Sequence, residues 1–176
     1  MNIIETSLND CLIIEPKTYE DERGFFLETF NSNRYQKLAS INLSFVQDNH
    51  SQSKNKVLRG LHFQKTKPQG KLVRVLRGEV FDVAVDIRKK SSTFGSWEGV
   101  ILSDKNKRQL WVPPGFAHGF LVLSNFADFE YKCTDYYDPN DEGCLLWNDP
   151  DIGINWPLNN PILSLKDRNA NKLIDL

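Results

Sequence analysis

The chain has no apolar run near the roughly 18 residues that a membrane-spanning helix needs, so no such helix is expected in it. It also lacks a charge excess: 22 Lys and Arg stand against 23 Asp and Glu, for a net charge of -1. That removes the electrostatic footprint expected of a nucleic-acid binder or of a protein that adheres to anionic membranes. Cysteine is scarce. Cys11, Cys133 and Cys144 are odd in number, far apart and form no CxxC pair, which argues against a disulfide framework and favours a reducing, cytoplasmic location. Met1 to Glu5 offers neither a basic nor an apolar leader segment, so no signal peptide is expected. No linker, repeat or low-complexity tract interrupts residues 1–176, and one domain is expected over that span.

What the chain does contain is alternation. Apolar residues make up 40% and charged residues 26%, an ordinary balance for a globular fold. In Glu79 to Ile87, Phe81, Val83, Val85 and Ile87 fall on one face of a strand and Asp82, Ala84 and Asp86 on the other. Further strands are expected at Cys11 to Ile14, Phe25 to Phe30, Leu58 to Gln64, Leu72 to Leu76, Gly99 to Leu102, Gln109 to Val112, Gly119 to Leu123 and Phe129 to Thr134. Turns at Arg77-Gly78, Pro113-Pro114-Gly115 and Asp138-Pro139-Asn140 separate several of them. One helix is expected, Asn31 to Ala39, capped by Asn31 or Ser32 and turning Tyr35, Leu38 and Ala39 inward. Many short strands at roughly 8–12-residue spacing predict an all-β jelly roll or barrel, a fold whose inward side chains can line a pocket.

Leu58-Arg59-Gly60-Leu61-His62-Phe63-Gln64 carries the strongest chemical signal, with Lys71 shortly after. A base beside two fixed cations suits removal of a proton from carbon and retention of the resulting negative charge. In a regular strand Arg59 and His62 face opposite ways; a bulge at Gly60 would bring them together. A lone His in such a strand is as readily a core residue bonded to a carbonyl. His118 follows a stiff Pro-Pro-Gly turn, and His50 lies in a polar run read as a solvated loop. A catalytic metal is not expected, because only His62 and His118 are good ligands, Gln64 replaces a second histidine, and a Lys71 ammonium offers no lone pair. Asp167 is either a surface turn residue or the carboxylate that fixes the tautomer of His62. Tyr131 is either barrel lining or a proton donor.

Several segments together resemble the dTDP-4-dehydrorhamnose 3,5-epimerases of the cupin superfamily. They are Asp21 to Glu28, Gln47-Asp48-Asn49, Leu58 to Gln64, Lys71-Leu72-Val73, Asp82 to Arg88, Pro113 to Phe120, Tyr131-Lys132, Trp147 to Pro150 and Leu163 to Asp167. The resemblance implies a cupin-type jelly roll that needs no metal or cofactor and acts on a dTDP-linked 4-keto-6-deoxy sugar on the route to dTDP-L-rhamnose. It implies His62 as base, Asp167 as its partner, Tyr131 as proton donor and Lys71 near the C4 carbonyl oxygen. It further implies substrate contacts from Arg23, Glu28, Gln47, Asp48, Asn49, Arg59, His118, Glu142 and Lys166, with Tyr137 stacking on thymine. A cytoplasmic homodimer paired through an N-terminal strand is implied as well. A C3-only or C5-only epimerase, a 3,4-ketoisomerase, a metal-dependent cupin oxygenase and a non-catalytic sugar-nucleotide binder stand as the alternatives.

Overall fold

The computed structural model describes residues 1–176. The first strands are β1 (Asn2–Glu5), β2 (Leu12–Glu15), β3 (Thr18–Asp21) and β4 (Gly24–Leu27), followed by helix α1 (Ser32–Ala39). Then come β5 (Gln47–Lys54), β6 (Leu58–Gln64), β7 (Lys71–Arg77), β8 (Glu79–Asp86) and β9 (Trp97–Ser103). The chain ends with β10 (Gln109–Val112), β11 (Phe116–Val122), β12 (Phe126–Cys133), β13 (Glu142–Cys144), the short helix α2 (Leu165–Arg168) and a 3-10 turn at Leu173–Asp175. None of the helices is long and apolar enough to cross a membrane.

Two sheets face each other in an all-β jelly-roll arrangement, one ordered β1-β2-β10-β7-β12-β5 and the other β13-β6-β11-β8-β9. A separate β3–β4 hairpin stands apart from both. Between the sheets lies the main core, where Val73, Leu110, Ala127 and Phe129 meet Val80, Ala84, Val100, Leu102 and Phe120. Phe120 of β11 stacks on Phe129 of β12 with ring centroids 4.2 Å apart, so an aromatic pair spans the two layers.

The outer faces are covered too. Leu61, Phe63, Val83 and Val85 pack under the C-terminal segment through Leu145, Ile152 and Trp156. Ile14, Leu72 and Trp111 pack under α1 through Tyr35 and Ala39. Burial on both sides explains why β11 is buried along its whole length. In β8, Phe81, Val83 and Val85 share one face as expected, and on the other face Asp82 and Asp86 are both fully buried. Asp86 keeps its charge there by accepting hydrogen bonds from Arg88, Ser91 and Thr93. Those bonds outweigh the upward push of burial and hold its pKa far below the ordinary carboxylate value.

Asn31 caps α1 by accepting a bond from the Arg34 amide at 3.1 Å. Tyr35 and Ala39 turn inward as expected, whereas Leu38 is exposed; two turns of helix present only a narrow i, i+4 stripe. The polar run at Gln47 to Ser53 is a strand, not a loop. β5 pairs with β12 from Gln47↔Cys133 to Lys54↔Phe126, so a neighbour's backbone, not side-chain propensity, makes it extended. Polar side chains suit its place at the sheet edge.

The phenol of Tyr35 donates to Gln109 Oε1 at 2.7 Å, and both residues are almost fully buried. Tyr35→Phe leaves that amide oxygen one partner short and should cost about 1–3 kcal/mol, read as a lower urea midpoint with an unchanged m-value. An unchanged midpoint would show that the bond contributes nothing.

Candidate active site

The site begins with a distortion in β6. Against β11, His62 pairs with His118 and Arg59 with Phe120, so two residues, Gly60 and Leu61, oppose the single Gly119. This is the β-bulge expected at Gly60. Gly60 has φ +123°, and a Cβ on it would lie 2.6 Å from the Gly119 Cα; no other residue fits there. The extra residue breaks strict alternation and turns Arg59 and His62 to the same side. Both then line a cavity of about 150 Å³ together with Lys71, His118 and Tyr131. Leu61 and Phe63 point the other way, into the outer core.

The opposite wall belongs to the six-stranded sheet. Tyr131 of β12 pairs with Val73 of β7, and Lys71 lies two residues from Val73 on the same face, which makes Lys71 and Tyr131 diagonal neighbours. The Lys71 ammonium sits 5.9 Å from the Tyr131 ring centroid. His62 therefore stands on one sheet and Tyr131 on the other, across one cavity. A larger cavity of about 440 Å³ lies between β1–β2 and the end of α1, but no histidine, lysine or arginine lines it.

Behind His62 is α2. Its N-cap Ser164 accepts a bond from the Asp167 amide at 3.1 Å and donates its hydroxyl to Asp167 Oδ2 at 2.8 Å. That fixes Asp167, only 3% exposed, with Oδ1 aimed at the imidazole. His62 Nε2 donates to Oδ1 at 2.5 Å, and the Cys144 thiol donates to the same oxygen at 3.6 Å. Burial works to raise the Asp167 pKa, but bonds from His62, Ser164 and Cys144 outweigh it and hold the carboxyl below its ordinary value. With Nε2 committed to an ionised carboxylate, Nδ1 is the nitrogen left to accept a proton.

The cations and the phenol are tuned as well. Burial pushes the Lys71 pKa down, and the negative charges of Asp82 and Glu142 only partly oppose it. Lys71 has no carboxylate within 4.0 Å, unlike Lys132 and Lys166, which have Asp48 and Glu142. Burial raises the Tyr131 pKa above its ordinary value despite Arg59 nearby, so the phenol keeps its proton at neutral pH. Arg59 is held by a 2.8 Å bond to Ser53. His118 Nε2 donates to both oxygens of the buried Asp82 at 2.9 and 3.0 Å, a second histidine–aspartate pair beside the first.

Around the dyad, Tyr137 donates its hydroxyl to Glu142 at 3.1 Å, and Glu142 pairs with Lys166 at 2.5 Å. Burial would raise the Glu142 pKa; Lys166 overrides it and holds the carboxylate low. Gln47 accepts the Tyr137 amide and donates to Asn49. Asp48, Arg23 and Glu28, all expected to contact substrate, do not line this cavity, and neither do the residues just named around the dyad. Asp48 and His50 lie on the opposite face of β5, paired with Lys132 and Asp128. Arg23 is at the hairpin tip against Asp21, and Glu28 pairs with Arg34 of α1.

Sequence reasoning missed Ser164, Cys144 and Asp82. Ser164 was detectable, because Ser164-Leu165-Lys166-Asp167 has the spacing of a helix cap that positions its fourth residue. Asp82 had a weaker signal, a carboxylate inside an otherwise apolar strand. Cys144 had none: its pairing with His62 depends on β13 joining β6.

A family model described as dTDP-4-dehydrorhamnose 3,5-epimerase matches residues 5–175. The dTDP-4-dehydrorhamnose 3,5-epimerase of Salmonella typhimurium is 59% identical over 172 residues, covering 97% of this chain and 94% of its own. A dTDP-6-deoxy-D-glucose-3,5-epimerase from Legionella pneumophila, solved in complex with dTDP-4-keto-L-rhamnose, superposes with a TM-score of 0.96 at 59% identity, covering 98% of this chain and 93% of the other. The dTDP-4-dehydrorhamnose 3,5-epimerase of Elizabethkingia anophelis superposes with a TM-score of 0.95 at 50% identity, over 99% and 97%. The chain belongs to the dTDP-4-dehydrorhamnose 3,5-epimerase family.

Because the Asp167 carboxyl is depressed in the folded state, its stabilising effect is complete above the unfolded value of about 3.9. The effect is lost as pH falls through the lower folded value. Asp167→Asn should cost about 1–3 kcal/mol near neutral pH, and the gap to wild type should close in acid. Urea titrations across that range measure it; a gap independent of pH would contradict the assigned charge.

Proposed function

We propose, taking family membership as the premise, that this protein converts dTDP-4-dehydro-6-deoxy-D-glucose to dTDP-4-dehydro-L-rhamnose by epimerisation at C3 and C5. The observation that carries the reading is that His62 and Tyr131 stand on opposed sheets across one cavity that also holds Lys71. A hydrogen on carbon beside a ketone is weakly acidic because the carbanion delocalises onto oxygen. In this reading His62 takes that proton at Nδ1, and the imidazolium formed is stabilised by Asp167 through Nε2. Lys71 meets the oxygen at C4 as it gains charge. Burial disfavours the bare ammonium, but an anionic oxygen arriving beside it favours the charged form, so the interaction is strongest where the charge develops.

Tyr131 then returns a proton to the other face. Inversion needs an acid and a base on opposite sides, and the two-sheet placement supplies both. C3 and C5 both flank C4, so one enolate-binding group serves both centres when the ring reorients. His118, fixed by Asp82, and Arg59 face the same cavity and contact the sugar and diphosphate, the guanidinium fork suiting phosphate oxygens. Tyr137, with its ring exposed, offers a stacking face for the thymine base, steadied by Gln47, Glu142 and Lys166. Binding of this remote half supplies energy that positions the sugar.

We assign the enzyme to the cytoplasm, where its three free cysteines stay reduced. Two copies are proposed to pair along β1, which forms the outer edge of its sheet. Sedimentation equilibrium should give twice the chain mass of 20.3 kDa, and a single 20.3 kDa species at micromolar concentration would reject the pairing.

Incubation with dTDP-4-keto-6-deoxy-glucose in D₂O, followed by NMR, should place deuterium at both C3 and C5. Label at one carbon would make this a single-centre epimerase. His62→Ala should lower turnover about 10²–10⁴-fold with little change in KM. Tyr131→Phe should keep hydrogen exchange while losing inversion. Wild-type rates at both carbons in either variant would remove the role assigned to that residue.

A further inference from the structure

The face of His62 turned away from the cavity holds a second arrangement that the epimerase reaction does not require. His62 Nε2, Asp167 Oδ1 and Cys144 Sγ all lie within 4.8 Å of one another. They are a nitrogen, an oxygen and a sulfur donor supplied by three different elements: β6, α2 and β13. Their placement is firm. Cys144 is the cross-strand partner of His62, and Ser164 restrains Asp167 through Oδ2, which leaves Oδ1 as the oxygen on which the other two converge.

From this geometry we propose that the three residues form a zinc-binding site, and that a zinc ion bound there switches the enzyme off. Zinc takes mixed nitrogen, sulfur and oxygen donors tetrahedrally, and three protein ligands with one open position is a common set. Bond lengths of roughly 2.0–2.3 Å put donor atoms about 3.4–3.7 Å apart around a tetrahedron. The Cys144 to Asp167 separation of 3.6 Å already has that value. The 2.5 Å contact between His62 and Asp167 must widen by about 1 Å to reach the same tetrahedral edge, and His62 and Cys144, within 4.8 Å of each other, settle to that edge with it. The His62 side chain is partly exposed on the cavity side, so it has room to withdraw.

The inhibition follows from proton placement. In the resting site Nε2 carries the imidazole proton and Nδ1 carries the lone pair. Zinc at Nε2 binds the other neutral tautomer, in which the lone pair is on Nε2 and the imidazole proton is on Nδ1, while the thiol proton leaves to solvent as the thiolate coordinates. No electrons are exchanged. The nitrogen that would accept the sugar proton is then already protonated, and the base is silenced without any blockage of the substrate cavity. Access need not pass through that cavity either, since Cys144 also lines a separate one of about 410 Å³ beside the C-terminal residues. The inhibition rests on the epimerase reading; the metal binding does not.

Cobalt(II) titration of reduced full-length protein tests the binding directly. One equivalent should produce a thiolate-to-cobalt charge-transfer band in wild type, absent in Cys144→Ser and displaced by zinc. No band in wild type, or an undiminished band in Cys144→Ser, which would point to Cys11 or Cys133, overturns the site. In turnover assays zinc should inhibit wild type reversibly by EDTA and require at least about tenfold more metal to inhibit Cys144→Ser, each relative to its own metal-free rate; equal sensitivity overturns the switch. Should Cys144→Ser fail to fold, a zinc-soaked wild-type crystal decides: an anomalous peak bonded to Cys144 Sγ supports the site, and a peak elsewhere or none rejects it. A cobalt band in a protein that turns over no dTDP-sugar would sink the epimerase reading and leave the metal site standing.

Discussion

The crossing of β6 and β11 at Gly60 and Gly119 is the constraint on which the site depends. A Cβ on Gly60 would meet the Gly119 Cα at 2.6 Å, and one on Gly119 would meet the Arg59 carbonyl oxygen at the same distance. Two backbones this close leave space for no side chain, and the extra residue on β6 resets its phase. Without that reset Arg59 would share a face with Leu61 and Phe63 and point away from His62. With it, a histidine meets His118 across one pairing and Cys144 across the other. The same step brings it within reach of Asp167.

Each histidine in the cavity is backed by a carboxylate, but the two pairs differ in setting. Asp82 is enclosed within the sheet and binds His118 through both oxygens, which fixes an orientation. Asp167 is carried on α2, bonded through one oxygen to His62 and through the other to Ser164. A fixed histidine suits recognition; one whose partner stabilises an added charge suits proton transfer. The cationic residues divide in a similar way. Lys132 and Lys166 are neutralised by Asp48 and Glu142, while Lys71 has no such neighbour and is the cation most responsive to an anionic oxygen.

Much of this architecture was legible in the chain. Alternation located β2, β7, β8, β9, β10, β11 and β12, because strands buried between layers must carry apolar side chains at every second position. β5 and β13 were not legible, since their extension comes from a neighbour's hydrogen bonds and their own residues are polar or few. A bulge at Gly60 could be named as the device that would let Arg59 and His62 converge, because strict alternation puts them on opposite faces. Membership of one site is a long-range property. Asp167 lies 105 residues from His62, and no local pattern encodes that distance; the resemblance to a known family did. Several of the residues that the resemblance implies lie outside this chain's own cavity. Asp48 faces away by strand parity, and Arg23 and Glu28 sit on elements that do not line it.

The stacked rings of Phe120 and Phe129 do more than fill space. They belong to opposed sheets and both line the cavity, so their combined thickness acts as a spacer between the wall bearing the imidazole and the wall bearing the phenol. Proton transfer rates fall steeply with donor–acceptor separation, and a close-packed interior passes small dimensional changes onward instead of absorbing them. For the proposed chemistry, the tolerance is therefore machined into two hydrocarbon rings that never exchange a proton, and a core substitution there would alter the gap as a mis-set calliper alters a measurement.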